Sequence, residues 1–89
     1  MTIDTLLKSP DIYLLFDGCP TCKPETAKFL NSCRTAAQWM WRQLHIVPSG
    51  SPTATSIRTI AKNQRKPIKY PLILFNGTIR YTPAEIIDE

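Results

Sequence analysis

The chain has 89 residues, of which 43% are hydrophobic and 20% charged, with a formal net charge of +4. That length holds one domain, residues 1–89, with a single modest core. No apolar stretch approaches the roughly 20 residues that span a bilayer, and residues 1–10 carry Asp4 and Lys8 and lack the long apolar core of a signal peptide. A cytoplasmic, reducing location is therefore expected, and three cysteines suit it better than they suit a secreted disulfide scaffold.

Residues 1–10 read as a short leader ending at Ser9-Pro10. Residues 11–16 form an apolar run consistent with a fully buried strand. Asp17-Gly18 turns the chain into a helix with Pro20 in its first turn, where a missing N–H is harmless. Cys22, Thr26, Phe29, Leu30, Cys33 and Ala37 recur at three- and four-residue spacing, so the helix should reach Arg34 or Ala37. Residues 39–47 read as a second strand, with Leu44, Ile46 and Val47 in the core and Trp39 and Trp41 sharing one face. Residues 48–52 are the clearest loop, and Ser51-Pro52 is a good N-cap and first helical position. That helix should bury Ala54, Ile57, Ile60 and Ala61 and end near Gln64, before Pro67. Residues 72–75 and 78–81 flank Asn76-Gly77, the strongest two-residue hairpin signal. Thr82-Pro83 opens a short last helix through Ile87. The expected order is β-α-β-α-β-β-α, with a four-stranded mixed sheet flanked by helices and a right-handed crossover between the first two strands.

The chemistry concentrates in Cys19-Pro20-Thr21-Cys22, at a strand-to-helix junction. Two intervening residues bring both sulfurs onto one turn, close enough for a small disulfide ring. A helix N-terminus offers unpaired N–H groups and partial positive charge, which stabilise thiolate, the form that attacks disulfides. Glu25 works against that stabilisation, and Lys23 and Lys28 work for it. Zinc would need two further ligands, and only Cys33 and His45 are available, at unsuitable spacings. Cys33 is expected to be a buried structural thiol, and His45 a half-buried, hydrogen-bonded histidine without catalytic duty. Trp39 and Trp41 are expected to pack in or around the core, with a partner-binding platform as the alternative.

The element order and two motifs, Cys19-Pro20-Thr21-Cys22 and Tyr70-Pro71 ahead of the 72–75 strand, resemble the thioredoxin-fold superfamily in its smallest, glutaredoxin-like form. The resemblance covers residues 11–87. It implies a thioredoxin-like fold, a cis Pro71 facing the dithiol, and an extended substrate segment paired with the backbone of Tyr70. It implies a thiol–disulfide oxidoreductase, with Cys19 as nucleophile and Cys22 as the more buried, resolving partner. Substrates would be protein or small disulfides. No cofactor is required, because the dithiol itself carries two electrons, and a monomer is expected.

Two departures bear on the electron donor. Phe16 and Asp17 stand where glutaredoxins place a lysine, and residues 81–85 replace the Gly-Gly-Asp that holds glutathione's charged end. Tyr81-Thr82-Pro83 is similar to the redoxins that serve ribonucleotide reductase and are recharged by thioredoxin reductase. The expected donor is therefore a thioredoxin-reductase-type enzyme, with glutathione as the alternative.

A competing reading starts from charge. All seven carboxylates lie in residues 4–25 and 85–89, and five cations, Arg58, Lys62, Arg65, Lys66 and Lys69, fall within residues 58–69. Such a region suits a solvated helix face, or a binding module for nucleic acid or an acidic protein.

Overall fold

The computed structural model describes residues 2–18 and 22–87. Its elements run α1 (Ile3–Lys8), β1 (Ile12–Leu15), α2 (Pro24–Trp39), β2 (Leu44–Val47), α3 (Pro52–Asn63), β3 (Leu72–Phe75), β4 (Thr78–Arg80) and α4 (Pro83–Ile87). The strands form one mixed sheet in the order β2-β1-β3-β4. β1 runs parallel to β2, with Tyr13 opposite His45, and antiparallel to β3, with Leu14 opposite Ile73. This is an α/β architecture, and the expected four-stranded mixed sheet is present.

The two central strands, β1 and β3, are buried along their whole length. Alternation along a strand sends successive side chains to opposite faces. Tyr13, Leu15, Leu72, Leu74 and Ile79 therefore meet Ala54, Ile57, Ile60 and Ala61 of α3 on one side. Ile12, Leu14, Ile73 and Phe75 meet Leu30, Cys33, Ala36 and Ala37 of α2, with Ile86 of α4, on the other. Continuous apolar runs at β1 and β3 are what a sheet covered on both faces requires.

The leader contains a helix, α1, which the expected element order lacked. Thr2 caps α1 by accepting from the Thr5 N–H at 3.2 Å, and Leu6 is buried in the α3-side core. A six-residue helix carries too few periods to announce itself in sequence, and its stability comes from docking. The same docking constrains the hairpin. Asn76 and Gly77 have φ of 52° and 74°, as the tight turn demands. A Cβ on Gly77 would also lie 3.0 Å from the Leu7 carbonyl oxygen.

The second correction concerns residues 39–43. Trp39 ends α2 rather than starting a strand, and β2 is only Leu44–Val47. The helix stops at Met40 in a Schellman arrangement. The Trp41 N–H donates to Gln38 O at 3.2 Å and the Arg42 N–H to Ala37 O at 2.9 Å. The residue at the left-handed position is Trp41, with φ 56°. Glycine is the usual occupant there, and a side chain in that conformation costs roughly 1–2 kcal/mol. α3 ends identically, with Arg65 at φ 56° and bonds from Arg65 N to Lys62 O and from Lys66 N to Ala61 O. Neither helix end carries the glycine that marks such a stop. The expected core packing of the tryptophans is also overturned, because Trp39 is 81% and Trp41 95% exposed.

Candidate redox site

β1 delivers the chain to Phe16 and Asp17, and Gly18 turns it with φ 108°. Cys19, Pro20 and Thr21 lie outside the described residues, so the expected places of the nucleophile and of Pro20 do too. Cys22 is described. It precedes the helix instead of lying on it, since Lys23 is the N-cap and Pro24 the first helical residue. The expected shared helix face of Cys22 and Cys33 is corrected accordingly. Proline suits that first position, having no N–H to orphan. Lys23 makes no side-chain cap hydrogen bond. The positive end of α2 bears on the segment just before it.

Cys22 is disulfide-bonded, and it is exposed. How its burial ranks against that of Cys19 lies outside the described residues. Cys33 is a free, buried thiol, as expected. Burial pushes it from 9.0 up to about 12, so it stays protonated and inert near neutrality.

The second motif reaches the same place. The Tyr70–Pro71 peptide is cis. Phe16, Asp17, Lys23, Thr26, Tyr70 and Pro71 line one hollow of about 220 Å³. Antiparallel pairing explains the meeting, because Leu15 at the end of β1 lies opposite Leu72 at the start of β3. The residues just beyond one strand and just before the other must then be neighbours. Phe16 is fixed by an edge-on contact with Phe29, ring centroids 6.1 Å apart. Thr26 turns its hydroxyl back to the Lys23 carbonyl at 3.0 Å. Asp17 and Lys23 are exposed and of opposite charge, so the wall is polar rather than strongly one-signed.

Tyr70 is held from a third element. Arg58 donates from Nε to the Tyr70 hydroxyl at 3.0 Å and from Nη2 to the Ser49 carbonyl at 2.8 Å. Arg58 is thus a strut between α3, the loop before it and the hollow's wall. No local sequence signal marks that contact, which spans twelve residues and which the cation-rich stretch disguised. Lys62, Arg65, Lys66 and Lys69 are exposed.

His45 is half-buried and hydrogen-bonded, as expected. Its Nε2 lies 2.8 Å from Asp11 Oδ2, and its ring stacks on Tyr13 with centroids 4.8 Å apart. It pairs in register with Tyr13, three residues or roughly 10 Å before the end of the run at Phe16. Just past β4, Tyr81 donates to the Pro67 carbonyl at 2.6 Å. Its pKa is raised, first by desolvation and then by the charge of Glu85.

Among the described residues no three His, Cys, Asp or Glu side chains are grouped to hold a metal ion. No helix among them is long and apolar enough to cross a membrane. No protein-family model matches the chain, and no curated protein or solved structure gives a significant match.

Proposed function

We propose that this protein is a small thiol–disulfide oxidoreductase with a thioredoxin-like, minimal glutaredoxin-like fold. The observation that carries the reading is the single hollow that takes Asp17 and Lys23, on either side of the Cys19–Cys22 segment, together with Tyr70 and Pro71. Strand pairing makes the two motifs neighbours, and what lies between them is an open, polar hollow instead of packed apolar side chains. A dithiol that must present its sulfur to an extended substrate needs such an opening.

In this reading the Cys19 thiolate attacks one sulfur of a substrate disulfide. A mixed disulfide forms and the other substrate sulfur leaves as a thiolate that takes up a proton. The Cys22 thiolate then attacks Cys19 Sγ, releasing the second substrate thiol and closing the Cys19–Cys22 disulfide. Two electrons have passed from the dithiol to the substrate. The N-terminus of α2 lowers the cost of holding thiolate in this segment. A reductant must reopen the ring. Phe16 is buried and Asp17 stands at the rim where a cation would grip glutathione. Lys23 is the one cation among the described lining residues and faces that carboxylate's opposing charge. A flavoprotein reductase of the thioredoxin-reductase class is the preferred donor.

The test is recycling of the oxidised protein, with insulin as the disulfide substrate, in two coupled systems. NADPH consumption with thioredoxin reductase should exceed that with glutathione plus its reductase. Turnover in neither system, with the Cys19→Ser variant indistinguishable from the parent, would end the oxidoreductase reading. Faster turnover with glutathione would reverse the choice of donor.

A further inference from the structure

At the other end of α2 from Cys22, the chain exposes its only two tryptophans, 81% and 95% accessible. Large aromatic surface left in water is unfavourable, and at Trp41 the backbone adds to that penalty. Its φ of 56° is a conformation that suits glycine and strains a bulky residue. With its ring almost wholly in solvent, Trp41 repays neither cost by packing. A residue that is unfavourable on both counts to the fold that holds it points to a role outside that fold.

The surroundings narrow the role. Trp39 is shared by two hollows. One, of about 380 Å³, is completed by Thr35, Ala36 and Met40, and the other, of about 320 Å³, by Gln38 and Trp41. A flat indole between two open spaces offers a stacking plane to each. Exposed cations stand close by in the chain, Arg34 on the same helix and Arg42 directly after Trp41, and residues 26–84 contain no Asp or Glu. An occupant that uses both features needs flat apolar units on a negatively charged strand.

We propose that Trp39 and Trp41 form a stacking platform for the bases of single-stranded nucleic acid, with Arg34 and Arg42 meeting its phosphates. Base stacking on exposed aromatics within a basic surface is the sequence-tolerant mode of binding single strands. The platform is built on α2, whereas the cations of residues 58–69 belong to α3 and the loop after it, on the opposite face of the sheet. It does not depend on the dithiol reading.

The experiment titrates the whole protein with a 20-nucleotide oligothymidylate at low salt, following tryptophan emission, which reports this platform alone. Saturable quenching is expected, with a dissociation constant of roughly 1–100 µM. The logarithmic salt slope should be about −1.4 for two phosphates, falling by about 0.7 in Arg42→Gln. Trp41→Gly is the decisive variant. It should weaken binding of a labelled oligonucleotide, read by anisotropy, by roughly 5- to 150-fold, while its melting temperature stays level or rises and disulfide reduction is unchanged. Any of five results overturns the proposal. Emission stays unaltered at saturating oligonucleotide. Inorganic polyphosphate competes as well as the oligonucleotide at equal charge. Vesicles of phosphatidylcholine and phosphatidylserine shift the emission while the oligonucleotide does not. Trp41→Gly binds like the parent, or melts lower because the ring supports the fold.

Discussion

Gln64 holds the hairpin to the helix before it, and its removal has a calculable consequence. Its Nε2 donates to the Gly77 carbonyl at 2.6 Å, and its Oε1 accepts from the Ile79 N–H at 3.1 Å. One side chain at the C-cap of α3 thus satisfies two backbone groups of the β3–β4 hairpin, where β4 is an edge strand and its free N–H would otherwise invite pairing with another chain. Both bonds are partly buried, and each is worth about 0.5–1.5 kcal/mol net. Gln64→Ala should therefore destabilise by about 1–3 kcal/mol. For a domain of this size that lowers the melting temperature by roughly 5–20 °C.

Gln64→Glu sharpens the test, because it keeps the acceptor and replaces the donor with a second acceptor. An ionised carboxylate oxygen would face the Gly77 carbonyl, so the Glu variant should be no more stable than the Ala variant near neutral pH. Repulsion raises the folded-state pKa of that carboxyl. The missing stability should be restored below its unfolded value of about 4.3, where the protonated acid donates again, and lost as pH rises through the raised folded value. Thermal melts followed by circular dichroism at pH 4 and 7 read both effects. A Gln64→Ala protein melting within about 2 °C of the parent would refute the reasoning, as would a Glu variant whose deficit relative to the parent is the same at both pH values.

At the dithiol, Cys22→Ser should trap a mixed disulfide with substrate and Cys19→Ser should abolish attack, both visible by intact-mass analysis; iodoacetamide labelling Cys22 before Cys19 in the reduced protein would reverse the roles. Cys33, with its thiol pushed up to about 12, should resist alkylation in the folded protein and react on unfolding. Because its folded pKa exceeds its unfolded value, the stability linked to it is complete below pH 9.0 and is lost progressively above it, which a pH series of denaturant midpoints will show. Arg58→Ala frees the Tyr70 hydroxyl and should raise KM for a protein disulfide a few-fold while leaving kcat with a small aromatic disulfide nearly unchanged; equal effects on both substrates would remove Tyr70 from the docking surface.

Several features were decided locally and are legible in the chain. The buried runs of β1 and β3, the Asn76-Gly77 turn, the Ser51-Pro52 cap and the inward row of α3 rest on interactions within a few residues, so composition and spacing suffice. The Cys19-Pro20-Thr21-Cys22 motif is legible for the same reason. Other features are set by contacts between segments distant in sequence. α1 is a helix because Leu6 finds the α3-side core, and α2 stops at Met40 through backbone bonds that need no glycine. Trp39 and Trp41 look like strand residues until that stop turns them into solvent. Arg58 looks like one more surface cation until folding brings Tyr70 to within 3.0 Å. Local propensity acts over one or two turns of chain, whereas these outcomes depend on which surfaces the folded sheet sets side by side. Sequence alone therefore names the dithiol and the order of elements around it, and tertiary packing decides what lines the hollow beside it and which aromatic rings are left facing water.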